Sequence, residues 1–427
     1  MCTDTRSLQA GDLFVALHGE RFDAHQFLHE AADKQACGLV GEKEDPDIPL
    51  PQLVVSDTTQ ALGQLAGLNR ELFDRPVIAV TGSGGKTTVK TLLRNILAAR
   101  GVVYATRGNL NNHIGVPLSL FELGLEHEYA VIEMGASGPG EIGYLTQLAK
   151  PDIGVVTNAL RAHVEGFGSV EGVARAKGEL FTGLRVDGTA IVNLDDPAVN
   201  LWLEQIGERR RITFSAKGST ADIGATEIVE AGDGRIKFTL QVQGAKTPVS
   251  LQLMGRHNVA NALAAAACAH AVGLDCEAIK SGLESSEAVA GRMQIRPGIG
   301  GATVIDDSYN ANPDSVTAAV NSLSQLPRNT ILVLGDMGEL GSDAVRFHRD
   351  LGVYARTAGI DCLVTVGSLT RNTSEEFGEG AHHFESHQQA ITFLQEIIDT
   401  NTVLLIKGSR SAHMEHVVAA LTISGEQ

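Results

Sequence analysis

The sequence predicts an α/β protein of three consecutive domains, and three observations carry that prediction. Short apolar runs that end in glycine or polar residues alternate with stretches of helical periodicity along most of the chain. This is the pattern of parallel sheets covered by helices. One junction, "VIAVTGSGGKTTVKTLLRNIL" at 77–97, has the form of a strand, a glycine turn with one lysine, and a helix. A length of 427 residues allows roughly two to four domains.

The first block, 1–74, contains "GDLFVAL" and "PQLVVSD" as strands, with the helix "AHQFLHEAADKQ" between them. A second helix, "TTQALGQLAGLNREL", follows, with Asp57 or Thr58 available as its cap. The second block, 75–290, continues with strands "YAVIEMG", "DIGVVTNA" and "TAIVNLDD". It is expected to form a central P-loop-type parallel sheet with helices on both faces. Two period-2 stretches, "RIKFTLQVQ" and "VSLQL", add an antiparallel hairpin, and "HNVANALAAAACAHAV" reads as an alanine-rich helix. The third block, 291–427, has strands "NTILVLGDMGELG", "DCLVTVG" and "TVLLIKGSR". The last leads into a helix with Met414, Val417, Val418 and Leu421 on one face, which predicts a C-terminal Rossmann-like α/β domain. Ligands of such sheets bind beyond the carboxyl ends of the strands, where Asp336, Lys407, Ser409 and Arg410 would sit.

Composition narrows the partners. Lys+Arg 34 against Asp+Glu 51 gives a net charge of −17, which argues against nucleic acid or an anionic membrane as the main partner. Anionic small molecules then need local cationic pockets such as the glycine turn. The five cysteines are scattered without a CxxC and are expected to be small buried hydrophobes rather than a zinc site or a disulfide framework. The N-terminal "MCTDTRSLQAGD" is polar, so no secretory signal is visible. The most apolar segment, "NALAAAACAHAVGL", is too short to span a bilayer. A soluble, cytoplasmic protein without membrane insertion is expected.

The glycine turn has a chemical reading. A helix N-terminus presents unpaired N–H groups and a positive dipole end, so it favours an anion. Gly82, Gly84 and Gly85 let the backbone curl around a phosphate, Lys86 adds a point charge, and the Thr87 hydroxyl can ligate Mg²⁺. The full GxxxxGK[ST] pattern would place glycine at position 80, where this chain has Val80. Glu133 closes "AVIEMG" and either faces the turn or ends an ordinary strand. His163 lies in a glycine-rich loop ahead of Lys177. Taken alone, the first reads as structural and the second as a solvated charge. "IDDSYNANPDS" groups carboxylates, a tyrosine and asparagines suited to ribose, an adenine face and Mg²⁺-bound water.

Together and in order, "AVTGSGGKTTVK", "TRGNLNNHIGVPLSL", "AHVEGFGSVEGVARAKGEL", "GRHNVANALAAAA", "IDDSYNANPDS", "LGDMGELG" and "KGSRSAHME" resemble the Mur ligases of peptidoglycan synthesis. The resemblance spans essentially the whole chain, and the missing glycine at 80 is usual in that family. It implies a ligase that joins a carboxylate to an amine with ATP, by way of an acyl phosphate. The family's first domain normally has further residues ahead of the stretch resembling "TDTRSLQAGDLFVALHGERFDAH", so a shortened first domain is expected.

The resemblance also implies roles. Lys86 and the segment Gly82, Ser83, Gly84, Gly85, Thr87 and Thr88 would hold the ATP phosphates. Thr87 and Glu133 would ligate one Mg²⁺ and His163 a second. Lys177 would be carbamylated and present an anion to the metal. Asn258, with His257 and Asn261, would meet the adenine, and Arg292 the γ-phosphate. Asp306, Asp307, Tyr309 and Asn310 would bind ribose and base. Thr5, Glu20, Arg21 and Phe22 would contact the uridine nucleotide, and Asn111 and Asn112 the muramoyl-peptide arm. Lys407, Ser409 and Arg410 would receive the amine substrate.

"YNANPDS" and "KGSRSAHME" fit the member that adds D-Ala-D-Ala to UDP-N-acetylmuramoyl tripeptide. The alternative is a sibling that adds one amino acid such as diaminopimelate or lysine, but its DNPR string does not occur here. Folylpolyglutamate synthase shares the turn and the lysine without needing the first block. A non-catalytic nucleotide-binding regulator would lack at least one of Lys86, Glu133, His163 and Lys177. A monomer is expected, closing by a hinge in "SSEAVAGRM", just before Arg292.

Overall fold

A computed structural model describes residues 1–19, 22–231 and 235–423. The central sheet is built around Val77–Thr81, whose five residues are all buried. Val80 pairs with Glu133 of Tyr129–Glu133 on one side, and Thr81 pairs with Val156 of Ile153–Val156 on the other. The sheet extends through Val103–Ala105 at one edge and Thr189–Asn193, Arg210–Ser215 and Ile223–Glu230 at the other, all parallel. The predicted hairpin, Ile236–Val242 with Ala245–Leu251, finishes it antiparallel. Because the inner strands run in register, the loops after 81, 133 and 156 emerge side by side at one edge.

The helix Lys86–Leu97 buries Val89, Leu92, Leu93, Ile96 and Leu97, the stripe its spacing predicts. It packs against His257–Ala271, whose small side chains from Ala264 to Ala267 are fully buried. That is the structural use of the alanine run: short side chains let two helices share one sheet face.

The first block holds a parallel sheet of Leu13–Val15, Gly38–Gly41 and Gln52–Val54. The helix Thr58–Leu72 is capped by Asp57, whose carboxylate accepts the N–H groups of Thr59 (2.8 Å) and Gln60 (2.9 Å). This helix lies against the central block. Ala66 and Phe73 enter the core of that block, and the buried Arg70 donates to the Ala149 carbonyl at 2.7 Å.

The third block is a sheet in the order Gln294–Pro297, Thr303–Asp307, Thr402–Lys407, Asn329–Gly335, Cys362–Val366 and Ala381–Phe384. The first pair is antiparallel and the rest parallel. Its core includes Met254 from the central block, so the two units are packed together ahead of the connection at 291. Gly291 (φ +73) and Met293 (φ +51) flank Arg292 in left-handed conformations.

All five cysteines are free. Cys2 and Cys268 are buried as expected, but Cys276 and Cys362, which open a helix and a strand, are half-buried, and Cys37 is exposed, because it starts the turn into Gly38–Gly41 rather than sitting within the strand. Among the described residues, no helix is long and apolar enough to cross a membrane.

Candidate active site

A cleft of about 1290 Å³ opens where the central and C-terminal blocks meet, and residues 83–86 form its floor. The glycine turn is held from behind. The Gly84 amide donates to Asn158 Oδ1 (2.9 Å), Thr157 Oγ1 donates to the Gly84 carbonyl (2.6 Å), and the Ser83 amide donates to the Asn158 carbonyl (3.1 Å). Gly82 (φ +144) and Gly85 (φ +79) both need glycine. A Cβ at Gly82 would fall 1.9 Å from Thr157 Oγ1, and one at Gly85 2.2 Å from Asn261 Oδ1. Lys86 starts the helix and turns back to the Gly82 carbonyl at 2.8 Å. Burial lowers its pKa, Glu133 opposes that, and Arg292 adds to it.

Glu133 is the hub of the phosphate end and is 2% exposed. Its Oε1 accepts from Asn111 Nδ2 (2.9 Å) and its Oε2 from the Thr87 hydroxyl (3.0 Å). Burial alone would raise its pKa, but Lys90, Lys86 and Asn111 hold it below the ordinary carboxylate value. Sequence reasoning missed Lys90. Its Nζ lies 3.1 Å from Glu133 Oε2 and donates to the Thr106 carbonyl at 2.8 Å. The signal was there: Lys90 stands one helical turn beyond Lys86, on the same face.

Arg292 reaches across from the third block. Its Nη2 donates to Thr87 Oγ1 (3.1 Å), and its guanidinium lies 4.3 Å from the Tyr309 ring centre. Thr87 therefore links Arg292 to Glu133, accepting from one and donating to the other. In this structure the two halves of the site already touch.

Lys177, on the helix Val170–Thr182, is 2% exposed. Its Nζ donates to the Ala136 carbonyl at 3.1 Å and lies 5.1 Å from the Phe167 ring. Burial pushes its pKa down to about 7, Lys86 adds to the shift, and Glu141 and Glu179 oppose it. His163 lines the same cleft, in a left-handed conformation (φ 54). Its Nδ1 lies 2.6 Å from Glu339 Oε2. Burial lowers the imidazole pKa, with Glu339 opposing.

The expected nucleotide contacts divide. Asp307, Tyr309 and Asn310 line the cleft, together with His257, Asn258 and Asn261. Asn258 and Asn261 bond each other (2.8 Å), and Asn258 Nδ2 donates to the Met254 carbonyl (2.7 Å). Asp306 does not face the cleft. It is buried and accepts from the Ser308 amide (3.1 Å) and hydroxyl (2.6 Å), because alternate residues of a strand point to opposite faces.

Three residues expected near the amine substrate are also engaged. Lys407 is 3% exposed and pairs with Asp307 at 2.6 Å, a cross-strand contact set by the register Asp307↔Lys407. Ser409 is buried and donates to the Asp336 carbonyl (2.6 Å). Arg410 is exposed, 3.3 Å from Glu415. Asp336 stands at its strand end as expected, but its carboxylate accepts the amides of Leu369 (3.0 Å) and Thr370 (2.8 Å). It tethers a helix start rather than standing free.

Asn111 and Asn112 line the cleft, and Asn112 Oδ1 also accepts the Gly115 amide at 2.8 Å. Thr5 is buried on the first block, where its carbonyl accepts from Lys34 (2.8 Å). Phe22 is 52% exposed and stacks on Phe27. Glu20 and Arg21 lie outside the described residues.

Known proteins share this arrangement. Residues 80–269 match the model of the Mur ligase middle domain, and 291–410 that of the Mur ligase, glutamate ligase domain. The chain is 46% identical to UDP-N-acetylmuramoyl-tripeptide–D-alanyl-D-alanine ligase of Escherichia coli, over 99% of this chain and 93% of that protein. It is 34% identical to the protein of the same name from Bacillus subtilis, over 99% and 92%. The crystal structure of MurF from Acinetobacter baumannii superposes with a TM-score of 0.93 at 38% identity, covering 98% of this chain and 92% of that one. MurF ligase from Thermotoga maritima in complex with ADP gives 0.88 at 26% identity, over 98% and 96%. With its phosphate turn, its buried lysine and its two-block cleft, the chain belongs to the Mur ligase family.

Proposed function

We propose that the chain is an ATP-dependent ligase that joins D-Ala-D-Ala to UDP-N-acetylmuramoyl tripeptide. The products would be the pentapeptide precursor of peptidoglycan, ADP and phosphate. The observation that carries the reading is the meeting of Lys86, Thr87, Glu133 and Arg292 in one cleft, from two separate blocks. The full-length relatives bearing that name support it. Residues 1–74 would hold the uridine nucleotide, 75–290 the ATP, and 291–427 would complete the ATP site and receive the dipeptide. Lys86, Thr87, Glu133 and Arg292 all belong to one chain and need no residue from a second copy, in keeping with a working monomer, and the soluble nucleotide substrates favour the cytoplasm.

A carboxylate is a poor electrophile because its leaving group would be oxide, and a transferred phosphoryl group removes that obstacle. The transfer is mainly positioning and charge neutralisation. The Ser83 and Gly84 amides, expected at the phosphates, donate to Asn158 instead. The amides at the start of the helix Lys86–Leu97 and the Lys86 ammonium would hold the phosphates, and Arg292 would meet the charge on the transferred group. The peptide carboxylate attacks the γ-phosphorus and ADP leaves. The amine nitrogen of the dipeptide then attacks the acyl carbon, phosphate departs and a proton is lost.

The donor set fits Mg²⁺. Thr87 and Glu133 offer hard oxygens 3.0 Å apart, and among the described residues no three His, Cys, Asp or Glu groups form a metal cage. Mg²⁺ keeps waters and phosphate oxygens rather than a full protein shell. When bound it would neutralise phosphate charge. His163 would serve a second ion. Lys177 fits a carbamate: a pKa near 7 leaves much of the amine uncharged at neutral pH, and among the described residues no carboxylate pairs with it. Its nitrogen would add to CO₂ and lose a proton, turning a cation that repels metal into an anion.

The test is phosphate release with UDP-N-acetylmuramoyl tripeptide, comparing D-Ala-D-Ala with glutamate, lysine and diaminopimelate. Turnover confined to the dipeptide is expected. Equal or faster turnover with a single amino acid overturns the assignment.

A further inference from the structure

Besides the Arg292–Thr87 contact and the shared core at Met254, the third block meets the central block along one short segment, residues 161–165. Asp314 Oδ2 accepts the Arg161 backbone amide at 2.7 Å, and its two oxygens take the Arg161 Nε and Nη2 at 2.6–3.2 Å. Two residues on, His163 Nδ1 lies 2.6 Å from Glu339 Oε2, a close approach without hydrogen-bond alignment, so Arg161–Asp314 is the directional part of the contact. Two further on, Glu165 lies against Gly341, where an added Cβ would sit 3.7 Å from the Glu165 Cβ. His163 (φ 54) and Glu339 (φ 59) are both left-handed, a conformation that non-glycine residues keep only where surrounding structure imposes it.

The mount of Asp314 is rigid. It lies in the first turn of Pro313–Leu323, where the helix dipole favours a carboxylate. Asn312 and Ser315 close a reciprocal cap around that turn. A guanidinium–carboxylate fork fixes orientation as well as distance, and here the backbone amide is taken too. The segment's direction at Arg161 is thus dictated by a residue 153 positions away in sequence.

We propose that Asp314 and Glu339 are positioning residues for the ligase reaction: an interdomain clasp that sets the His163 loop only when the third block is docked. The inference rests on the ligase reading, because it takes the His163 loop to be part of that site. Docking would then do two things together. It brings Arg292 to Thr87 at one end of the cleft and orders His163 at the other, so activation of the carboxylate waits for the closed arrangement.

Amide hydrogen exchange on the protein without ligands, followed by steady-state kinetics, tests the clasp. In Asp314→Ala, exchange at Arg161–Gly166 should rise at least about tenfold, while the phosphate-turn amides stay unchanged. The kcat should fall about 10–100-fold, as for other supporting partners of a catalytic ligand, with the KM for ATP within about threefold. Glu339→Ala should act in the same direction, and the conservative Arg161→Lys should keep more of the rate than Arg161→Ala. If either alanine variant unfolds, Asp314→Asn and Glu339→Gln read the same exchange. Unchanged exchange overturns the clasp, and so does faster exchange with full kcat. Lys86→Ala serves as the control: if it also keeps full turnover, the ligase site itself is wrong, whereas loss there with a full-rate Asp314→Ala overturns the clasp alone.

Discussion

The central block buries Lys177 at 2% exposure with a carbonyl as its acceptor, whereas the C-terminal block buries Lys407 at 3% against the Asp307 carboxylate. Removal from water disfavours an ammonium, and the two regions answer this differently. Around Lys407 a cross-strand carboxylate compensates the charge, and the pair joins two strands. Around Lys177 burial prevails and the pKa falls to about 7. Lys90, held by Glu133 and two carbonyls, follows the C-terminal pattern inside the central block. Burial of a lysine is therefore a structural fact with two meanings, and the partner decides which applies.

The comparison can be broken at several points. The largest effect is expected from Lys86→Ala. Among the described residues Lys86 makes no carboxylate ion pair, and it faces the cleft, so its loss should lower turnover on the order of 10²–10³-fold, the size seen when one preorganised charge-stabilising group is removed. The far-ultraviolet spectrum should stay unchanged. Unaltered ATP turnover in the folded variant would remove Lys86 from the site.

Lys407→Ala should cost about 2 kcal/mol of stability, because the half-buried Asp307 carboxylate loses its cation and keeps only the Met293 amide. Added acetate or formate should not restore its activity. Lys177→Ala should also be inactive, but partly rescued by those carboxylates, since on the carbamate reading what it would lose is an anion beside Mg²⁺. Urea unfolding and the rescue assay separate the two lysines. The same rescue in both, or in neither, would erase the distinction.

The pKa of Lys177 sharpens it further. Between pH 7 and the ordinary lysine value of 10.5 the unfolded chain holds a proton that the folded chain lacks. Folding therefore gains stability as pH rises through that window. In CO₂-free buffer, wild type should gain about 2 kcal/mol relative to Lys177→Met between pH 7 and pH 9. A constant difference would show that the amine stays protonated.

The smallest effect should come from Asp336→Ala. The loss of a helix-start carboxylate costs about 1 kcal/mol, and kcat should hold. A large rise in the KM for D-Ala-D-Ala would return Asp336 to the substrate site.

What was legible in the sequence was local. The strand, turn and helix at 77–97, the stripe from Val89 to Leu97 and the cap at Asp57 each depend on neighbours within a few residues, which the sequence prints next to one another. The strands Val103–Ala105, Gln294–Pro297 and Ala381–Phe384 escaped notice because they are short and at sheet edges, where one side needs no apolar cover. The pairings Asp307–Lys407 and Arg161–Asp314 escaped for another reason. They join residues 100 and 153 positions apart, and only strand register and block docking bring them together. For Lys177 the family resemblance supplied a role, while its buried setting comes from the fold.

The glycine turn has a consequence for the speed of recognition. Gly82 and Gly85 are confined by their own backbone angles and again by Thr157 and Asn261 behind them, so the turn has little freedom left to lose. Ordering a backbone residue takes roughly 1–2 kcal/mol of entropy, and for this turn that cost is met during folding rather than at encounter. The Ser83 and Gly84 amides are already taken by Asn158, so on the ligase reading a nucleotide would be met by the unpaired amides at the start of the helix Lys86–Leu97, much as a key enters a cut lock. On the clasp proposed above, the slow step would fall to the docking of the third block against the central one.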